Sequence, residues 1–138
     1  MGHKDIAYIS GPLWKTDASD RLDGHKKALI EYGISYNKDL LYEGDFHEES
    51  GINGLDNFLL KKQKFTALVC ANDEMASGAM VQARESDIHV PDDLSIIGYD
   101  DIDVAYYLHP KLTTIRYPVD EMGHMAARRC RYILKYCL

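Results

Sequence analysis

The sequence lacks the features that mark membrane, secreted and disulfide-stabilised proteins. No apolar run approaches the roughly 20 residues of a membrane-spanning helix, and the first residues contain no apolar stretch like that of a secretory signal. Cysteine is scarce, and the three that occur, Cys70, Cys130 and Cys137, have neither CxxC spacing nor a Cys/His zinc pattern. Because isolated thiols suit a reducing compartment, we expect a cytoplasmic protein.

Positive charge and catalytic motifs are also lacking. The chain has 16 Lys and Arg against 22 Asp and Glu, a net charge of −6. This balance argues against a general nucleic-acid binder, unless another part of a longer protein supplies the basic surface. Neither GxGxxG nor GxxxxGK[ST] occurs, and GxSxG and HExxH are absent from the sequence. We therefore expect a protein that is not an enzyme and holds no metal or cofactor.

What is present is a regular alternation of two patterns in 138 residues, enough for one core. Short apolar runs predict strands at residues 6–9, 40–42, 66–70, 94–97 and 113–117. Helical spacing predicts helices that begin near Ser19 or Asp20, near Ile52 and at Asp73, and a last helix over residues 120–136. The stretch from the fourth strand to Pro110 is expected to be irregular. This order predicts an α/β fold, a mostly parallel open sheet with helices on both faces in three layers.

The residues that follow each strand are the candidate site, because ligands of open α/β sheets bind beyond the carboxyl ends of the strands. Arg and Asp side chains bind vicinal hydroxyls, Asn both donates and accepts, and an aromatic ring covers the apolar face of a sugar. The set therefore suits a neutral polyhydroxylated ligand. The candidates are Arg21, Phe46, Asn72 and Asp100, with Trp14, Asp73 and Tyr99 as possible additions.

Each candidate also has a structural interpretation. Asp73 is expected more as the N-cap of its helix than as a ligand contact, and Asn72 suits a turn as well as a site. Arg21 by itself would be taken for a solvated arginine, and Phe46 for a core residue. Trp14, in a polar loop, is either a lid over a ligand or a contact for a partner.

A small acidic cluster after the fourth strand leaves one enzymatic alternative open. Asp100, Asp101 and Asp103 offer carboxylate oxygens of the kind that Mg²⁺ prefers. No glycine-rich phosphate loop accompanies them, so a Mg²⁺-dependent enzyme is the less favoured interpretation.

Four segments together resemble one family of bacterial regulators. They read IAYISGP at residues 6–12, followed by Arg21 and Gly24, then CANDEMASGAM at 70–80, VPDDLSIIGYDD at 90–101 and PKLTTIRYP at 110–118. In order and spacing they resemble the effector-binding core of LacI/GalR-family transcriptional regulators, which are lactose- and galactose-repressor-like proteins. The resemblance covers nearly the whole chain.

The resemblance implies a periplasmic-binding-protein-like core of two lobes with an effector between them. Residues 1–117 would form the C-terminal lobe, and residues 118–138 a crossover helix that packs on the N-terminal lobe. Most of that lobe and the DNA-binding headpiece are absent from this sequence. By motif position, Arg21, Asn72 and Asp100 match polar residues that contact the effector, and Phe46 matches an aromatic that covers it.

The function implied by the resemblance is sensing and dimerisation without catalysis. A small effector, a sugar or related polyol or nucleobase, would change the affinity of a homodimer for operator DNA. The DNA would be bound only through the absent N-terminal helix-turn-helix, and no membrane is involved. The alternative is a sugar-binding protein of a transport system. This chain alone is expected to bind an effector weakly, because only one wall of the cleft is present.

Overall fold

Strands and helices alternate along the chain in the computed structural model, which describes residues 2–136 and the side chains as far as Arg131. The strands are β1 (Ile6–Ser10), β2 (Leu41–Glu43), β3 (Ala67–Cys70), β4 (Ser95–Asp100) and β5 (Thr113–Arg116). The helices are α1 (Thr16–Glu31), α2 (Glu48–Leu60), α3 (Asp73–Glu85), α4 (Asp103–Tyr107) and α5 (Val119–Tyr136). A single 3₁₀ turn, Lys38–Leu40, leads into β2.

The strands form one parallel sheet in the order β2-β1-β3-β4-β5. β1 pairs with both β2 and β3, so the chain reverses its direction of growth across the sheet at β1. Since all five strands are parallel, their carboxyl ends meet at one edge. The predicted α/β fold with a parallel open sheet is confirmed.

Helices cover both faces of the sheet. Neighbouring residues of a strand point to opposite faces, and in β1 the ring of Tyr8 contacts His25 of α1 while Ile9 packs on Gly54 of α2. α1 and α2 therefore lie on opposite sides, as the three-layer prediction requires. The fully buried side chains include Ile9, Leu55, Phe58, Leu68 and Met75.

Two glycines let α2 and α3 approach at backbone distance. A Cβ on Gly51 would overlap the backbone of Met75, and a Cβ on Gly78 would overlap the carbonyl group of Glu48. Any larger residue at either position must push the helices apart, because protein interiors are close-packed. This contact fixes the start of α3, which carries two of the candidate residues.

Several predicted boundaries differ from the structure. α1 begins at Thr16 rather than at Ser19 or Asp20, and the stretch expected to be irregular contains α4. Lys15, which precedes α1, makes no side-chain capping bond, so this start carries no local capping signal. α4 has only five residues, too few for a helical period to show in the sequence.

α5 runs out from the sheet with every described side chain exposed. Its docking on a second lobe stays a prediction, as does the division of the chain at residues 117 and 118. The end of the predicted 118–138 segment and Cys137 lie outside the described residues. Cys70 is a buried free thiol, and Cys130 is an exposed one on α5. No helix in the described part is both long enough and apolar enough to cross a membrane.

Candidate functional site

An ion pair joins two of the candidates at the carboxyl edge of the sheet. Arg21, from the second turn of α1, donates through Nη2 to Oδ1 of Asp100, the last residue of β4, at 3.0 Å. The side chains are 20% and 30% exposed, so both face a partly open surface. Arg21 also donates through Nη1 to the carbonyl oxygen of Ala71, just after β3. The guanidinium therefore bridges the ends of β3 and β4.

Aromatic rings flank the same guanidinium. The Cζ atom of Arg21 lies 4.2 Å from the centroid of the Tyr99 ring and 5.9 Å from that of Phe46. A cation over the face of an aromatic ring is attracted to the ring, most strongly where water is partly excluded. Arg21 is thus held by an anion, a carbonyl oxygen and two rings, and it is not the freely solvated arginine of the structural interpretation.

Phe46 is placed by an unusual backbone conformation. Its φ is 76°, in the left-handed region that side chains other than glycine rarely adopt. The ring lies so close above Gly11 that a Cβ on that residue would overlap it. Phe46 is half-buried and packs against the core, and Lys15 Nζ lies 5.6 Å from the centroid of its ring. The core interpretation and the site interpretation therefore both describe it.

Asn72 connects the helix start to the Phe46 loop. Its Oδ1 accepts the backbone N–H of Met75 at 2.9 Å, and its Nδ2 donates to the carbonyl oxygen of Phe46 at 2.7 Å. Asn72 is therefore the N-cap of α3, and the N-cap prediction for Asp73 is wrong. The same side chain anchors the loop that holds the aromatic ring.

Asp73 lies beneath the site rather than in it. Its residue is 0% exposed, and it accepts the backbone N–H of Ile102 at 2.9 Å and the hydroxyl of Thr114 at 2.5 Å. A buried carboxylate needs such donors, since burial without them is costly. Both carboxyl oxygens of Asp73 are engaged in these hydrogen bonds and no part of the residue is exposed, so a ligand has no access to it here.

The other two possible additions differ in position. Tyr99 is half-buried at the end of β4 and contacts both Arg21 and the ring of Tyr117, at 6.3 Å between centroids. Trp14 is 81% exposed in the loop before α1, with Lys15 Nζ 5.4 Å from its ring. Tyr99 therefore joins the cluster around Arg21, and Trp14 stands at its rim.

The acidic cluster is divided between two arginines. Asp100 pairs with Arg21, and Asp101 pairs with Nε of Arg116 at 2.5 Å. Among the residues whose side chains are described, no three His, Cys, Asp or Glu side chains are grouped to hold a metal ion. Two of the three carboxylates that the Mg²⁺ alternative requires are thus paired with arginines.

Burial and charge act in opposite directions on Asp100. Desolvation raises the pKa of its carboxyl group, the Arg21 guanidinium lowers it in part, and the net direction is upward. Desolvation likewise raises the pKa of the Tyr8 hydroxyl under the site, and Arg21 opposes that shift. The Arg21 guanidinium is therefore the positive charge that lowers the pKa of both groups against the effect of burial.

Sequence reasoning missed three contributors to the site. Gly11 provides the space for the Phe46 ring, the Ala71 carbonyl oxygen binds Arg21, and Thr114 bonds Asp73. Gly11 follows the first strand directly, so its position carried a signal. The other two act through a backbone atom and through a partner 41 residues away, which no local pattern reports.

Comparison with known proteins gives the same family throughout. The model of the periplasmic binding protein-like domain matches residues 1–135. The HTH-type transcriptional repressor PurR of Proteus mirabilis is 42% identical over 125 residues, which cover 91% of this chain and 37% of the repressor. The chain thus spans a little over a third of the length of this curated relative.

Two solved structures share the fold closely. The crystal structure of the Escherichia coli transcriptional repressor AscG has a TM-score of 0.91 and 38% identity, covering 97% of this chain and 49% of that one. A complex of the transcriptional regulator CelR with cellobiose also has a TM-score of 0.91, at 33% identity, covering 97% of this chain and 41% of that one.

Proposed function

We propose that this chain is the effector-sensing lobe of a bacterial transcriptional regulator. The premise is its family: the chain belongs to the periplasmic binding protein-like domain family, in the form found in LacI/GalR-type regulators. In this proposal the chain catalyses no reaction. It binds a small molecule, and binding changes the DNA affinity of a DNA-binding part that this sequence does not contain. A regulator that acts on operator DNA works in the cytoplasm.

The observation that carries the proposal is the Arg21–Asp100 pair between the rings of Phe46 and Tyr99. The guanidinium offers donors in a fixed fork and the carboxylate offers acceptors, which together match adjacent hydroxyl groups. An aromatic ring beside them covers the apolar face of a sugar. The net charge of the Arg21–Asp100 pair is close to zero, so an uncharged ligand such as a sugar or polyol fits better than an anion. CelR, which is similar in fold, is recorded in complex with cellobiose.

The proposed mechanism is a shift between two arrangements of two lobes. This chain supplies one wall of the cleft, and a second lobe, docked on α5, supplies the other. An effector that contacts both walls favours the closed arrangement, and its preference for one arrangement over the other sets how far the equilibrium moves. The exposed α5, which follows the end of β5 directly, is the connection between the walls.

Exposed apolar side chains support association as a homodimer. Tyr106 and Tyr107 of α4, which lie outside the helix proposed to carry the second lobe, are 66% and 73% exposed. Apolar surface of this kind is typical of interaction sites, and a symmetric pair is the commonest assembly of identical chains.

The test is a thermal-shift screen with sugars, polyols and nucleobases, cellobiose among them. It is run on this chain and on a longer polypeptide that includes the second lobe. We expect a hit with the longer polypeptide and little or none with this chain, since binding to one wall buries only part of a ligand. The hit should be lost in Arg21→Ala and in Asp100→Ala.

Lys27→Ala is the matched control, because Lys27 is an exposed cation on the same helix as Arg21. It should leave the thermal shift unchanged. A tight hit with this chain alone would contradict the two-wall mechanism. A hit that survives Arg21→Ala would contradict the assignment of the site.

A further inference from the structure

The turn that carries Asp100 is held in a conformation that its residues do not favour. Asp100 has a φ of 110° and Asp101 a φ of 58°, so two successive residues other than glycine lie at positive φ. Such a conformation persists only where the surrounding structure determines it. The surroundings of this turn therefore decide where the Asp100 carboxylate points.

The turn is fixed by a chain of hydrogen bonds from below. The N–H of Asp101 donates to the Thr114 hydroxyl at 3.3 Å, and that hydroxyl donates to Oδ1 of Asp73 at 2.5 Å. The other oxygen, Oδ2 of Asp73, accepts the N–H of Ile102 at 2.9 Å. One buried carboxylate thus holds two consecutive N–H groups of the turn, one directly and one through Thr114.

Both carboxyl oxygens of Asp73 accept a hydrogen bond from this network, Oδ1 from Thr114 and Oδ2 from Ile102. Among the ion pairs of the described side chains, none involves Asp73. Gly98 lies directly against the carboxylate, because a Cβ there would overlap Oδ1. The carboxyl group of Asp73 is therefore packed closely against β4.

The network also connects the site to the strand that leads into α5. Thr114 belongs to β5, and the carbonyl oxygen of Asp100 accepts the N–H of Tyr117 at 3.4 Å. Arg116 of the same strand pairs with Asp101. The end of β5 is thus bonded to the turn at three points, through Thr114, Arg116 and Tyr117.

We propose that Asp73 and Thr114 are positioning residues, which hold the Asp100 turn at positive φ so that the Asp100 carboxylate stays on Arg21. This deepens the proposed function, on which its relevance to effector binding rests. The mechanical statement concerns the chain itself. Without the Thr114 hydroxyl, the N–H of Asp101 loses its acceptor and the turn relaxes towards negative φ. Asp100 then leaves Arg21.

The test follows the carboxyl titration of Asp100 by ¹³C NMR in this chain without an effector. In Thr114→Val, which removes the hydroxyl and keeps the branched shape, the pKa of Asp100 should move from its raised value towards that of an exposed aspartate. Thr114→Ser restores a hydroxyl and should restore the raised pKa. Thr113→Val, at an exposed neighbouring threonine whose side chain points to the other face of the sheet, is the matched control and should change nothing.

The outcomes separate positioning from simple loss of stability. A pKa of Asp100 that moves in Thr114→Val and returns in Thr114→Ser supports the proposal. A pKa that stays in Thr114→Val, or that moves equally in Thr114→Ser, overturns it. If Thr114→Val does not fold, Thr114→Ala removes the same hydroxyl and is interpreted in the same way. Because no effector is used, this result is independent of the ligand screen.

Discussion

The protein should lose stability as pH falls from neutral because of one histidine. His25 of α1 is half-buried, with its ring 4.7 Å from the ring of Tyr8 on β1. Burial lowers the pKa of His25 from 6.5 to about 4, and the adjacent Lys26 charge lowers it further in the same direction. Protonation of His25 therefore favours the unfolded chain, in which the ring is hydrated.

The magnitude follows from the two pKa values. Between pH 6.5 and pH 4 the unfolded chain binds more protons than the folded chain, so the free energy of unfolding falls as pH falls and is constant above that window. One unit of pKa difference is worth about 1.4 kcal/mol, so lowering the pH to about 5 would cost about 2 kcal/mol for a fully buried ring. His25 is partly exposed, and solvent screening reduces this to about 1 kcal/mol.

Urea unfolding at about pH 7 and about pH 5 measures this loss. In His25→Gln, which cannot titrate, the drop in free energy should be smaller than in the unmodified chain by about 1 kcal/mol. His124→Gln removes an exposed histidine of α5 and controls for the substitution. The reasoning is refuted if His25→Gln shows the full drop, or if NMR finds His25 titrating at or above its ordinary pKa.

Two further predictions concern packing and assembly. Gly78→Ala should destabilise the chain by about 1–3 kcal/mol in urea unfolding, because the new Cβ overlaps the Glu48 carbonyl group. A Cβ on Gly24 of α1 would meet nothing within 4 Å, so Gly24→Ala should stabilise the chain by about 0.5–1 kcal/mol. Equal effects of the two substitutions would contradict the close α2–α3 contact. Sedimentation velocity over a concentration series should show self-association that Tyr107→Lys weakens, because Tyr107 is an exposed aromatic residue of α4. A strictly monomeric profile at high concentration would count against the homodimer.

Much of the fold followed from local signals in the sequence. The β-branched and apolar runs predicted all five strands to within a few residues, and the parallel order followed from the helices between them. The gathering of Arg21, Phe46 and Asp100 also followed, because the carboxyl ends of parallel strands meet at one edge. This inference needed no knowledge of side-chain contacts, only the order of the elements.

What the sequence did not reveal depends on partners far along the chain. Asp is a residue type that often caps helices. Only the contact of Asp73 with Thr114, 41 residues later, shows that it supports the turn after β4 instead. Asp100 and Asp101 have positive φ although neither is a glycine, so no residue type in the sequence indicated this turn. Local propensity cannot report either feature, since both are imposed by tertiary contacts that override it.

Asn72 shows why a structural role is poor evidence against a role at a site. The sequence left a turn position and a ligand contact as alternatives, yet the side chain uses its oxygen to cap α3 and its nitrogen to hold the Phe46 carbonyl. Only an amide can do both, because a carboxylate has no donor for a carbonyl oxygen and a hydroxyl is too short to span the two. The cap places the helix start and the donor places the aromatic loop. The same residue therefore both caps a helix and shapes the wall on which a ligand would lie.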